Sequence, residues 1–183
     1  MIIGISGRRG VGKTALANYF VGEYGHLKFS FAEELKELAK VIFPLTDVDL
    51  NSITRKEKKF RDYDFTPREL LCNLGDFVRY HDKDYWVKKT LSKCSKKGID
   101  YVIDDVRYPN EAEAIKAAGG KLIRVNRYPK LNPYGKNLDI PSETSLDTYE
   151  FDYVVHEVWN TTLESLYRQG NMALGKEEGG ENA

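Results

Sequence analysis

"MIIGISGRRGVGKT", residues 1–14, decides how the whole chain is read. The apolar run Ile2–Ser6 reads as a short buried strand. Gly7, Gly12, Lys13 and Thr14 follow at the spacing G-x-x-x-x-G-K-T, the pattern of a phosphate-binding loop. Glycines let the backbone curl so that successive N–H groups converge on one anion. A helix opening at Lys13 turns its positive dipole end to the same anion. Lys13 is placed to reach the outer phosphates, and the Thr14 hydroxyl to ligate Mg²⁺. The helix "KTALANYFVGEY" carries Leu16, Ala17, Phe20, Val21 and Tyr24 on one face. Gly7, Gly10, Val11, Gly12, Lys13, Thr14 and Ala15 are therefore the expected binding site for the phosphates of a nucleoside triphosphate.

The 183 residues suffice for one domain with a proper core. Lys plus Arg and Asp plus Glu each number 28, so the net charge is zero and no global basic field exists for direct nucleic-acid binding. Anion binding must come from local clusters. The two cysteines, Cys72 and Cys94, make no disulfide framework and stand at no metal-binding spacing. No apolar run approaches membrane-spanning length, and no signal peptide is legible before the first strand. A cytoplasmic protein without a membrane partner is expected.

Outward from the loop, "LKFSFA" reads as a strand and "EELKELAKVIF" as a helix with Leu35, Leu38, Ala39 and Ile42 inward. Residues 45–65 are highly charged with few periodic apolar positions, and are expected to be a mobile insert. "TPRELLCNLGDFVRY" opens with a capping box, Thr66 with Glu69, and with Pro67 at the first helical position. Leu70, Leu71, Leu74, Phe77 and Val78 are its expected buried stripe. Arg68 and Arg79 fall on the opposite face with Cys72 and Gly75 between them. That face is either a shallow basic groove or plain solvated surface. "DKDYWVKKTLSKCSKKG" reads as a helix ending near Gly98. "IDYVIDDVR" is a buried strand delivering Asp104, Asp105 and Arg107 at its end. "NEAEAIKAAGG" is a helix stopped by Gly119 and Gly120. "KLIRVNR" and "FDYVVHEV" are strands, and "TTLESLYRQ" is the last helix. Residues 127–143 are long enough for a lid. Residues 170–183 read as a disordered tail. Alternating strands and helices predict an α/β, three-layer sandwich, with a mostly parallel sheet covered on both faces. Ligands in such sheets sit at the carboxyl ends of strands. An apolar strand ending in Asp is the expected second half of a Mg²⁺–nucleotide site, although Asp104 and Asp105 could instead cap the next helix.

These motifs resemble the deoxynucleoside monophosphate kinases of tailed bacteriophages, within the P-loop kinase superfamily. The likeness covers most of residues 1–169. It rests on "GRRGVGKT", "FAEELKELAK", "TPRELLCNLG", "DYWVKK", "IDDVRYPNEAEAI" with "GGKLIRVNR", and "PSETSLDTYEFDYVV". The resemblance implies a single kinase domain with monophosphate-binding and lid segments. It implies transfer of the γ-phosphoryl of ATP to a deoxynucleoside 5′-monophosphate with Mg²⁺, and it points to a homodimer. By position, Lys13, Arg8, Asp105, Arg107 and Arg127 become the catalytic candidates, with Thr14 and Asp105 on the metal. Lys36, Arg68, Arg79, Trp86, Arg107 and Glu111 become the acceptor-binding candidates. If phage-encoded, the protein works in the host cytoplasm. Two departures stand out. Many relatives carry Asp directly after the loop lysine, where this chain has Thr14. Many carry His-Pro before the Ser-Glu pair, where this chain has Ile140-Pro141.

The charges have a rationale. ATP and a monophosphate bring about six negative charges, of which one Mg²⁺ offsets only two. Lys13, Arg68, Arg79, Arg107, Arg127 and one of Arg8 and Arg9 could supply the rest. A guanidinium in the loop can bridge donor and acceptor phosphates with its planar fork. Which of the two loop arginines does so is not legible, nor is the base or sugar preference. Trp86, Tyr85 and Phe31 could each stack on a base or belong to the core. Other readings are a P-loop kinase of the dephospho-coenzyme A or phosphomevalonate type, which lacks "DVRYPNEA" together with "TPRELL", and a nucleotide-dependent switch. A GTPase switch would carry D-x-x-G and N-K-x-D, and neither occurs.

Overall fold

Five strands form one parallel sheet in the order β2-β3-β1-β4-β5. They are β1 (Ile2–Ser6), β2 (Leu27–Phe29), β3 (Tyr101–Val106), β4 (Lys121–Arg127) and β5 (Tyr153–Glu157). The structure is a computed structural model, and it describes residues 1–52, 54–127, 140–157 and 162–176. By contacts the chain divides into two compact units, Met1–Ser30 with Cys94–Ala183, and Phe31–Lys93. The expectation of one undivided domain is refined accordingly.

The first unit holds the sheet. Strand alternation explains its layers. Ile3 and Ile5 face one side, where they meet Leu16, Ala17 and Phe20 of α1 (Lys13–Tyr24) and Leu166 and Ala173 of α8 (Leu163–Leu174). Gly4 faces the other side, under α6 (Pro109–Ala117). A Cβ there would stand 2.7 Å from both Ile115 Cδ1 and Leu122 Cδ2. The sheet is thus covered on both faces, as the pattern predicts. The register pairs Ile3 with Val102 of β3 and with Lys121 of β4, which makes β1 the central strand.

α8 runs further than expected. It ends at Gly175, in the left-handed region at φ 70, and Ala173 is buried. A tail beginning at residue 170 is therefore corrected: residues 170–174 are helical because Gly170 lets α8 lie on α1. A Cβ at Gly170 would fall 2.5 Å from Leu16 Cδ1. Residues 177–183 lie outside the described residues. Of the expected lid, so do residues 128–139, while Pro141–Thr144 form a short helix, α7.

The second unit is helical: α2 (Glu33–Ile42), α3 (Asp47–Asn51), a 3₁₀ turn at Arg55–Glu57, α4 (Pro67–His81) and α5 (Tyr85–Lys93). α5 stops at Lys93, before the expected end near Gly98. Residues 45–65, expected as a charged mobile insert, carry packed anchors. Leu45, Leu50 and Phe60 are buried beside Ala39 and Leu70, with Phe43 and Phe65 packed on them. These anchors are single apolar residues between charges, so no period reveals them. Reciprocal bonds between Thr46 and Asp49 cap α3, and Thr66 and Glu69 cap α4 as expected. The inward stripe of α4 is rotated from the expected one. Gly75 is buried and Phe77 is 65% exposed, set against His81. At about 100° per residue the stripe centres on Pro67, Leu74 and Val78, which leaves Phe77 beyond its border. Arg68 and Arg79 lie on its rim rather than opposite it.

Candidate active site

The glycine-rich loop leaves the carboxyl end of β1. Gly7 takes φ 148, and a Cβ there would come 2.5 Å from the carbonyl oxygen of Val125. Gly12 caps α1 at φ 105, in the left-handed region that L side chains avoid. Val11 anchors the loop by burying its side chain in the sheet core. Lys13 folds back across the loop. Its Nζ donates to the carbonyl oxygens of Gly7 (2.7 Å) and Arg8 (2.8 Å). Only 8% of Lys13 is exposed. Burial, then the nearby Arg107, push its ammonium from 10.5 down to about 8, while Glu143, Asp105 and Asp104 pull it back up. Thr14 is exposed at the first turn of α1, and Ala15 packs partly into the core.

The end of β3 contributes the next groups. Alternation sends Asp104 and Asp105 to opposite sides of the strand. Asp104 is buried and lies 3.7 Å from Lys28 Nζ. Asp105 accepts a 2.6 Å hydrogen bond from the Ser30 hydroxyl. Arg107 follows. Its Nη1 donates to the carbonyl oxygen of Ser142 (2.8 Å) and to Glu143 Oε1 (2.6 Å). Glu111, expected on the acceptor, is instead found capping α6. Its Oε2 accepts from the backbone N–H groups of Arg107 (2.7 Å) and Tyr108 (3.1 Å), and only 3% of the residue is exposed. Glu111 thereby fixes the turn that carries Arg107.

Sequence reading missed the groups that tie these parts together. Glu143, 6% exposed, accepts the Arg9 backbone N–H at 2.8 Å as well as Arg107. Asp147 accepts Arg8 Nη2 (2.5 Å) on one oxygen and Arg124 Nη2 (2.6 Å) on the other. Arg124, buried in β4, also donates to the Ser6 hydroxyl at 3.1 Å. One signal was available: a charged residue in the middle of the apolar strand "KLIRVNR" needs a buried partner. Arg127 ends β4, and its side chain lies outside the described atoms.

The remaining acceptor candidates belong to the helical unit. Arg68 Nε pairs with Glu57, and Arg79 Nη1 lies 3.2 Å from Asp76. Lys36 donates to Asn51 at 2.8 Å. Trp86 is 3% exposed and its Nε1–H meets the Gly75 carbonyl at 3.4 Å, so it is a core residue, not a stacking platform. A cavity of about 180 Å³ in this unit is lined by Asp49, Arg55, Lys58, Lys59 and Arg61 among others.

For a metal, the described residues offer no cluster of three or more His, Cys, Asp or Glu. A hydroxyl on Thr14 and the carboxylates of Asp104 and Asp105 are hard oxygen donors of the kind Mg²⁺ takes when phosphates complete its shell. The donor set fits that ion.

A glycine-rich loop after the central strand of a parallel sheet covered by helices, with a buried lysine crossing it, matches the α/β fold of P-loop kinases. A protein of Acanthamoeba polyphaga mimivirus named "Putative deoxynucleotide monophosphate kinase" is 31% identical over 188 residues, covering 92% of this chain and 93% of that one. The chain belongs to the family of that mimivirus kinase. An uncharacterized protein, ORF77, of Ictalurid herpesvirus 1 is 27% identical over 152 residues; the match covers 80% of this chain but only 59% of that longer protein. A gluconokinase from Sinorhizobium meliloti 1021 aligns with 14% identity and a TM-score of 0.48, covering 95% of this chain and 91% of its own. No family model matches. Among the described residues no helix is long and apolar enough to cross a membrane.

Proposed function

We propose that this chain transfers the γ-phosphoryl group of ATP to a deoxynucleoside 5′-monophosphate, giving the diphosphate and ADP. The observation that carries the reading is the convergence of Lys13, Arg8, Arg107 and Asp105 on the loop at the carboxyl ends of β1 and β3. The name of the mimivirus relative supports the acceptor class. The likeness to the phage kinases supports the narrower family, residence in a host cytoplasm and a homodimer.

Phosphoryl transfer needs positioning and charge neutralisation more than covalent chemistry. In this reading the loop amides and Lys13 hold the β- and γ-phosphates. Arg8 and Arg107, with Arg127, offset charge on the transferring group. Mg²⁺ would be held by Thr14 and Asp105 and would supply charge neutralisation between phosphate oxygens. Arg68, Arg79 and Lys36 are the acceptor-phosphate ligands in this reading.

The test is a panel of acceptors with ATP, Mg²⁺ and the pure protein. It contains the deoxynucleoside and ribonucleoside monophosphates, gluconate, dephospho-coenzyme A and phosphomevalonate. Diphosphate formation from at least one deoxynucleotide is expected. Turnover of gluconate or another non-nucleotide alone would replace the acceptor and keep the kinase. ATP binding without any transfer would leave a nucleotide-binding switch.

A further inference from the structure

We propose that Glu143 and Asp147 are positioning residues: two carboxylates four residues apart grip Arg107 and Arg8 by one nitrogen each, aiming the Nε–Nη2 edge of Arg107 and the Nη1 of Arg8 at a phosphoryl group. This rests on the reading of the loop as a phosphate site.

The bonding pattern carries the inference. A guanidinium has five N–H donors in a planar fork. Arg107 uses Nη1 alone, on Ser142 O and Glu143 Oε1. Arg8 uses Nη2 alone, on Asp147 Oδ2. Among the described residues, Nε and Nη2 of Arg107 and Nε and Nη1 of Arg8 meet no protein acceptor. Arg107 is therefore anchored at one corner and keeps its Nε–Nη2 edge able to take two phosphate oxygens, whereas Arg8, held at Nη2, keeps Nη1 for a single phosphate contact. Arg124 shows the contrast. Its Nε, Nη1 and Nη2 are all taken, by Asn126 (3.2 Å), Ser6 (3.1 Å) and Asp147 (2.6 Å), so it braces Asp147 and leaves no edge for a ligand.

Electrostatics supports the same role. A buried carboxylate beside an anion site is adverse unless it holds cations. Glu143 meets that condition with the Arg9 N–H at 2.8 Å and Arg107 at 2.6 Å. Lys13, Arg8, Arg107 and Arg124 outnumber the two clamp carboxylates, Glu143 and Asp147, while Asp104 and Asp105 also act on Lys13. The clamp also fixes the loop itself, because Glu143 holds the backbone of Arg9 and Asp147 the side chain of Arg8.

Two double-mutant cycles test it: Glu143→Gln with Arg107→Lys, and Asp147→Asn with Arg8→Lys. The readouts are kcat/KM for ATP and, independently of any acceptor, the Kd for ATP by calorimetry. Each single variant should lose tenfold or more in kcat/KM. Each double variant should be no worse than its weaker parent, because a lysine cannot both be gripped and present a fork. Glu143→Asp, which keeps the charge, should recover part of the loss. Losses that multiply in the double variants, or single variants within twofold of the parent protein, would overturn the clamp. If Glu143→Gln does not fold, as its melting curve will tell, the more exposed Asp147–Arg8 pair decides alone. A parent protein that binds ATP but phosphorylates no deoxynucleotide removes the proposed acceptor, and the cycles on Kd still judge the clamp.

Discussion

The loop region, residues 1–24, and the helical segment from Leu45 to His81 are organised on opposite principles. In the first, strand, loop and helix are consecutive, and each residue acts on its near neighbours. Ile3 and Ile5 face one layer, Gly4 the other, and Gly7, Gly12 and Lys13 follow at once. In the second, the fold hangs on separate points: Leu45, Leu50, Phe60 and Phe65, with charges between them. Periodicity detects faces, not points. A segment can thus look unstructured in sequence and still be held by two capping boxes and an aromatic cluster. Phe43 and Phe65 lie 4.9 Å apart there, and Phe60 and Tyr63 5.7 Å apart.

Substitutions can break this contrast, from the largest expected effect to the smallest. Lys13→Ala should cut turnover by on the order of a thousandfold. The melting temperature should hardly move, since the lysine's bonds are to its own loop; near-normal turnover would remove the loop from the chemistry. Phe60→Ala should lower unfolding stability by roughly 3–5 kcal/mol in a denaturant titration. A change within about half a kcal/mol, the usual effect at exposed sites, would mean that Phe60 does not anchor the segment.

Arg68→Ala and Arg79→Ala probe whether the rim of α4 binds anything. Each should raise the KM for the deoxynucleotide roughly tenfold, as expected for a lost charged hydrogen bond, and leave that for ATP little changed. Unchanged acceptor constants in both variants and in their double would make the rim a structural ion-pair face. Thr66→Ala removes the cap of α4 and should cost about 1 kcal/mol. The smallest effect is one of pH. His26 is 2% exposed among Phe20 and Tyr24, and neither ring nitrogen has a described partner. Burial holds its pKa below the ordinary 6.5, against the pull of Asp100, with Lys176 and the N-terminal ammonium also facing it. The unfolded chain then protonates first as pH falls. The group's contribution to stability is whole above 6.5 and shrinks below it. His26→Phe should flatten the stability–pH curve on that acid side, and an unchanged curve would rule out His26 as the cause.

Most of the first unit was legible because its signals are contiguous. The order of strands and helices and the loop glycines read directly from residue type and spacing, as did, in the second unit, the capping box at Thr66. The site was legible only in part. Asp105 and Arg107 stand at the end of β3 and Lys13 opens α1 after the loop, where ligands are sought. Glu143, Asp147 and Arg124 were missed because their meaning is pairwise and long-range: Arg124 and Ser6 meet across 118 residues. Glu111 and Trp86 misled for the opposite reason. A carboxylate near the chemistry and an aromatic in a helix are cheap signals, and here both serve local structure. The rotation of α4 escaped because Gly75 carries no apolar side chain to mark the inward side.

Leu166 of α8 lies directly behind the loop: a Cβ on Gly12 would stand 3.2 Å from its Cδ2. The last described helix is thus a backing plate for a motif far earlier in the chain. Random mutagenesis scored for lost activity should return inactive alleles at Leu166 and Gly170, with nothing in their chemistry to suggest phosphate. Such alleles would look like a second functional region on a linear map. A fusion partner or truncation placed close behind Leu174 carries the same hazard.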